Sequence, residues 1–330
     1  MSSRRNFLAA SAVALASIIS AYAPTALAQL GGKVPRIIVP FPAGGATDII
    51  ARLIADELRG RYAPSVIVEN RPGASGRVGI EYVKNADPDG NVMLYTPDFP
   101  ITLIPHAYKK VNYDPIADFI PVATCTASIT VLSAGPALPA GVRTVSDLVQ
   151  WLKANPKLAL YGSASPGSAQ HFVGVMLARA AGIEMTHVAY KGGAAAIQDL
   201  LGGQIPISIN PLAEVLPHYK AGKLRILASA KPNRSVFLPD VPTLVESGYK
   251  DVFLRGWSAI LVPARTPRDT VVKLHNAINE ALKSEAMAKN LAKLTYEALP
   301  TELAEAATYL REDYQKWGGI VKASGFSADE

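Results

Sequence analysis

Phe41, Ala43, Gly44, Gly45, Thr47 and Asp48 fall within one short stretch, Phe-Pro-Ala-Gly-Gly-Ala-Thr-Asp, whose residue types suit the capture of an anion. The apolar run Ile37-Ile38-Val39 precedes it, and Ile50, Leu53, Ile54 and Leu58 follow on one helical face. A strand-to-helix junction of this kind gathers free backbone N–H groups at the positive end of a helix, and paired glycines let a ligand approach the main chain. The same residues also read as an ordinary turn in which Thr47 or Asp48 caps the helix. The loop matches neither G-x-x-x-x-G-K-[ST] nor G-x-G-x-x-G, so it is not a nucleotide loop. Asp48, an acid in a first helical turn, is expected to order the loop.

A second small-residue junction, Gly162-Ser163-Ala164-Ser165-Pro166-Gly167-Ser168, leads into Gln170 and His171. Each hydroxyl alone reads as a loop or cap group, whereas three at one junction offer a ligand hydrogen bonds. A hydrolase would need a positioned nucleophile and base. Ser165 has Ser163 two residues before it, so G-x-S-x-G is absent, and the five histidines form no H-E-x-x-H pair. His171 is open between donating to a carboxylate and bonding its own loop, and Tyr190 between walling a cleft and filling a core. Lys191 pairs with an acidic ligand or stays solvated; Phe99 stacks on an aromatic ligand or packs.

The elements that must hold these residues alternate. Strands at 36–39, 66–70 and 92–95 with intervening helices make an α/β lobe with a mostly parallel sheet. Its strand ends place the loops 41–48, 71–77 and 96–99 on one rim, which brings Thr96 and Asp98 beside the first loop. From Leu158 the pattern returns, with strands near 158–161, 187–190, 204–211 and 224–228 and polar strand ends at 162–168, 191–193 and Asn210. Long β-prone runs at 121–133 and 252–262 bracket this middle part, and amphipathic helices follow at about 267–285 and 301–317. The chain is expected to cross between lobes near residue 130 and to return near 253, with lobe one at 29–130 and 254–330 and lobe two at 131–253. Facing loop sets across two crossing strands describe a hinged binding protein.

Residues 1–28 combine Arg4-Arg5, a short apolar run and Ala26-Leu27-Ala28, a secretory signal peptide cleaved after Ala28. The run is broken by Ser17, Ser20 and Pro24, unlike a membrane span. Arg4-Arg5-Asn6-Phe7-Leu8 fits twin-arginine export, and either export route leads to the periplasm. Cys125 is the single cysteine, a small buried hydrophobe that leaves no intramolecular disulfide. Without Arg4 and Arg5 the chain holds 31 Lys and Arg against 27 Asp and Glu, and this net +4 is mild and dispersed, with no basic run, zinc-ligand spacing or aromatic-interleaved patch to argue for a nucleic-acid partner.

Pro40 to Asp48 with Arg52, Val68-Glu69-Asn70-Arg71-Pro72-Gly73-Ala74, Asp89-Gly90, Tyr113-Asp114-Pro115, Gly167-Ser168-Ala169-Gln170-His171, Val188 to Gly193 and Leu238 to Thr243 together resemble the Bug family. These are extracytoplasmic solute receptors of tripartite tricarboxylate transporters. The resemblance implies a two-lobe, type II-like periplasmic binding protein fold, a monomer without metal or cofactor, and a small carboxylate ligand passed to membrane subunits of the transporter. It also implies that Phe41 to Asp48 holds the carboxylate through main-chain groups and waters, with Gly44, Gly45, Thr47 and Asp48 as one clamp. Ser163, Ser168, Gln170 and His171 form the other. Two positions depart from the family pattern: Asn210 stands where an Asp-containing segment is usual, and Asp98 occupies a loop that is usually small and hydroxyl-rich. A carboxylate at Asp98 would repel an anionic ligand unless it meets an amine, a hydrogen-bond donor or solvent. A ligand sensor for a membrane signalling protein is the alternative function, ahead of a cleft enzyme.

Overall fold

The computed structural model describes residues 33–328, so the expected leader and its cleavage site lie outside the described residues. Eleven strands are found within them: β1 (Arg36–Val39), β2 (Ile67–Asn70), β3 (Val92–Pro97), β4 (Phe119–Ala127), β5 (Thr130–Ala134), β6 (Leu160–Ser163), β7 (Thr186–Ala189), β8 (Ile207–Pro211), β9 (Arg225–Ser229), β10 (Trp257–Pro263) and β11 (Glu297–Ala298). They form two sheets, one in each lobe, ordered β11-β4-β10-β3-β1-β2 and β7-β6-β8-β5-β9. In the first, β1 runs parallel to β2 and β3, while β10 is antiparallel to β3 and β4. The second repeats the plan, with β6 parallel to β7 and β8, and β5 antiparallel to β8 and β9.

Helices cover both faces of each sheet, as apolar strands such as Ile37-Ile38-Val39 demand. On one face of the first sheet, Ile50 and Ile54 from the helix Ala46–Leu58 meet Leu274 and Ile278 from Arg268–Leu282. On the other, Ile80 and Val83 from Arg77–Lys84 pack with Leu310 from Leu303–Ser324. The second sheet is covered by Leu148, Val173 and Leu177 on one side and by Ile197, Leu200 and Val215 on the other.

The run expected as one strand at 121–133 is two strands, β4 and β5, in different sheets. Ser128 marks the crossing: its N–H (2.7 Å) and its hydroxyl (2.9 Å) both donate to the carbonyl of Gly256 on the returning segment. Alongside, the Ala230 N–H donates to Thr130 O (2.8 Å) and Leu254 N–H to Ala230 O (2.7 Å). The second long run is likewise a strand only from Trp257, because Gly256 turns the chain with φ +61°. Residues 252–256 therefore serve the crossing and not the sheet.

Four further helices were not evident in the sequence, Leu212–Lys220 between β8 and β9 among them. Pro100 and Pro105 occupy first-turn positions of the short helices Phe99–Thr102 and Ile104–Ala107, where a missing N–H does no harm. Ser284 caps Glu285–Lys293 by accepting from the Met287 N–H at 3.1 Å. Further contacts join the lobes outside the crossing, among them Phe326 with ring centroids 5.7 Å from both His171 and Phe172. Phe172 packs on Trp317 with ring centroids 5.6 Å apart, and Lys231 pairs with Glu297, which also accepts from the Ser235 hydroxyl at 2.7 Å.

A side chain on Gly256 would place its Cβ 2.8 Å from Ser128 Oγ and 2.9 Å from Ser128 O, at a φ of +61° that L residues resist. Gly256→Val is expected to lower stability by about 1–3 kcal/mol, read as a lower urea midpoint. An unchanged midpoint would show that the crossing tolerates rearrangement.

Candidate functional site

The first loop is held from behind by one carboxylate. Asp48 is 3% exposed and accepts from the Gly44 N–H at 2.9 Å, from Arg52 Nε at 3.1 Å and Nη2 at 2.9 Å, and from Asn70 Nδ2 at 3.0 Å. Asn70 Nδ2 also donates to Phe41 O at 3.1 Å, which ties both ends of the loop to β2. Burial opposes ionisation of Asp48, but the Arg52, Gly44 and Asn70 bonds outweigh it and hold the carboxyl below the usual range. Asp48 thus shapes the loop. Gly44 accepts the resulting φ of +85°, and the exposed residues Ala43, Gly44 and Gly45 lead into a helix whose first N–H groups no carbonyl of its own can reach. The Phe41 ring lies 5.9 Å from Phe99.

Beside this loop a cavity of about 510 Å³ opens between the lobes. Thr47, Ser75, Asp98, Phe99 and Tyr108 line it from the first lobe, and Ser165, Ser168 and Gln170 from the second. Ser128, Thr130, Leu254 and Gly256 form its floor at the crossing, while Tyr296 and Phe326 reach it from the C-terminal part. The structure therefore brings together Thr47, Asp98, Ser165, Ser168 and Gln170 from the two loop sets. Ser168 Oγ also caps the helix Ala169–Ala181, accepting from the His171 N–H at 3.1 Å and donating to Ser165 O at 2.8 Å.

The remaining candidates, Phe41, Ala43, Gly44, Gly45 and Asp48 of the first loop included, are not among the residues lining the cavity, and the polar side chains among them have local partners. Thr96 is fully buried and donates to Pro97 O at 3.0 Å. Ser163 is also fully buried, with its Oγ 2.8 Å from His187 Nε2. His171 Nδ1 accepts from the Gly167 N–H at 3.1 Å, so this ring bonds its own loop; it stacks 4.3 Å from His187. Burial lowers the His171 pKa, and burial with the neighbouring His171 pushes His187 down to about 4. Tyr190 turns its hydroxyl to Asp199 at 2.9 Å. Asn210 is buried, accepts from the Ser208 hydroxyl and donates to Gly193 O at 3.4 Å, joining β8 to the start of the preceding helix Gly193–Leu201.

Several lining residues carried no signal in the sequence. Ser75 lies in the loop 71–77 already placed on the rim, but its φ of +57° was not legible. Phe326 arrives from the far end of the chain: Ala328 N–H donates to Ala107 O at 2.8 Å, and the ring sits where a Cβ on Gly167 would be 2.6 Å away.

Asp98 is the electrostatic anomaly. Asp98 keeps part of its surface open to the cavity, yet desolvation by the protein packed around it first, and the nearby Asp313 carboxylate second, push its pKa up to about 8, only partly offset by the N–H groups of Phe99, Asp98 itself and Trp257. Asp313 accepts from Trp257 Nε1 at 2.6 Å and stands 3.6 Å from Arg255 Nη1. Among the described residues no group of three or more His, Cys, Asp or Glu could hold a metal ion, and no helix is long and apolar enough to cross a membrane.

With this geometry the chain matches the family TctC, tripartite tricarboxylate transporter family receptor, over residues 50–326. It is 30% identical to Protein BugT of Bordetella pertussis over 291 residues, covering 88% of this chain and 89% of that one. Among solved structures it is similar to an R. palustris protein with adipate, at 28% identity and TM-score 0.74, covering 90% of this chain and 99% of the other. It is also similar to the periplasmic binding protein BugD, at 30% identity and TM-score 0.70, covering 89% and 98%. The fold is the two-lobe one of periplasmic binding proteins.

Two outcomes are expected of these carboxylates. Asp48→Ala removes charged hydrogen bonds and leaves Asn70 and Arg52 short of partners, and should cost about 2 kcal/mol in a denaturant titration; a wild-type midpoint would remove Asp48 from loop ordering. Asp98 has a folded pKa above its unfolded value, so between about 4 and 8 the folded state holds a proton that the unfolded chain releases, and stability falls as pH rises through that window. Asp98→Asn should therefore raise the melting temperature near pH 8 and change it little near pH 4; equal effects at both would contradict the burial argument.

Proposed function

Because the chain belongs to the tripartite tricarboxylate transporter receptor family, we propose that it captures a small organic carboxylate between its lobes and delivers it to the membrane subunits of such a transporter. The observation that carries this reading is the interlobe cavity, with the bare helix start at Thr47 on one side and Ser165, Ser168 and Gln170 on the other. A helix start favours a negative ligand group through its free N–H groups and dipole, and hydroxyl and amide side chains supply directed hydrogen bonds. The adipate bound to the R. palustris relative supports the same ligand class. The leader at residues 1–28 supports export to the periplasm, with Arg4-Arg5 favouring the twin-arginine route, where the chain works as a monomer.

The enzyme reading finds little support. The Ser163–His187 pair has the spacing of a nucleophile and base, yet Ser163 is fully buried and off the cavity. A histidine held near pKa 4 is also a weak base at neutral pH. A sensor that signals without transport would use the same capture step.

Gly45 is the direct probe of the loop. Its φ is −78°, and a Cβ there would meet only Pro42 O, at 3.8 Å, so the fold has room for a side chain. Gly45→Val should keep the wild-type melting temperature and lose at least about tenfold in affinity for whichever carboxylate of a panel binds best in calorimetry. Unchanged affinity would remove the loop from the site.

A further inference from the structure

We infer that Asp98 receives a cationic group of the ligand, which makes the preferred solute an amino-bearing carboxylate and not a plain dicarboxylate. The inference rests on the carboxylate-receptor reading above and names the group at the ligand's other end. Among the described residues lining the cavity there is no lysine, arginine or histidine, and Asp98 is the one carboxyl side chain. A dicarboxylate would therefore bring its second negative charge into a chamber that offers no cationic side chain to pair with it.

The surroundings of Asp98 point the same way. From the helix Leu303–Ser324 it faces Asp313, a like charge, and from the segment before β11 it faces the phenol of Tyr296. From its own loop and from β10 the backbone N–H groups of Phe99, Asp98 itself and Trp257 approach it. Arg255 is engaged behind Asp313 with Glu312, and Lys316 donates to Phe253 O at 2.8 Å. No ion pair to Asp98 occurs among the described residues. A neutral hydrogen bond to a ligand could come from serine or threonine without the cost of burying an acid. Only a carboxylate supplies the countercharge that a buried ammonium needs. Phe99, Tyr108, Tyr296 and Phe326 line the same cavity, and aromatic faces also attract cations.

Proton balance sets the sign of the pH effect. Near neutral pH the unliganded carboxyl carries its proton. Binding an ammonium favours the carboxylate, so one proton leaves Asp98 for solvent. Affinity for an amino-bearing ligand should then rise with pH up to about 8, approaching tenfold per pH unit. A protonated Asp98 donating to a second ligand carboxylate would give the opposite sign, with affinity falling as pH rises through that value.

The test is calorimetry on ligand-stripped protein with matched pairs: adipate against 6-aminohexanoate, and the hydroxy, dicarboxylic and amino versions of two- to six-carbon acids. The wild type should prefer the amino member of a pair by about tenfold or more. Its affinity should rise with pH, and the binding heat should vary with buffer as one proton is released. Asp98→Asn, isosteric with the wild type, should lose most of the affinity for the amino member and all of the pH dependence. Its retained or improved binding of the dicarboxylate partner shows that it is folded. Preference of the wild type for dicarboxylates, or an affinity that falls as pH rises, overturns the assignment of Asp98 and leaves the carboxylate receptor standing. Binding of neither class overturns both.

Discussion

The clamp on Asp48 underlies the binding chemistry proposed for this chain. A loop that offers free N–H groups to a ligand cannot also satisfy them from within, so its shape must be imposed from outside. One buried carboxylate does this, taking the Gly44 N–H, the Nε–Nη2 edge of the Arg52 guanidinium and the Asn70 amide. Asn70, the last residue of β2, also grips Phe41 O. The neighbouring strand thereby fixes the distance between the end of β1 and the start of the helix. Arg52 stays half-exposed, so its charge is partly screened, and the bond geometry matters more than the net attraction.

The second constraint is the crossing. Ser128 and Gly256 hold the two interlobe segments together through a shared carbonyl, and the segments themselves form the cavity floor. A change in lobe angle must therefore move the floor of the binding site. Contacts that join the lobes lie both away from it, with Phe172 on Trp317 and Lys231 and Ser235 on Glu297, and at its wall, where Phe326 meets His171 and Phe172. Ligand binding and lobe closure share the same few residues, which is the physical requirement for a receptor that presents its loaded form to a partner.

What the sequence could show follows from the range of the interactions involved. The first loop was legible because strand, glycines and helix are contiguous, and the repeat of that pattern at 158–171 placed the facing loop. The crossings near 130 and 253 were legible as breaks between two α/β patterns, although each β-prone run concealed the change of sheet at Ser128 and Gly256. The fate of single polar groups was not legible. Ser163 and Asn210 look like ligand donors from their strand-end positions, yet His187 and Ser208, from neighbouring strands or alternate positions, take those bonds. Phe326 and Tyr296 were beyond reach for a different reason, since no local pattern signals that a C-terminal segment returns to an interlobe cavity. Asp98 was visible as an oddity, but its lack of a countercharge emerged only from the surrounding elements.

A crystal structure of the mature protein carrying the solute it retains from the periplasm would test the central claim most directly. The expected result is a small acid in the cavity, with carboxylate oxygens within about 3 Å of N–H groups at Gly45 to Asp48 and the rest of the molecule reaching toward Ser168, Gln170 and Asp98. A solute without an acidic group, or one whose acidic group lies away from that loop, would contradict it.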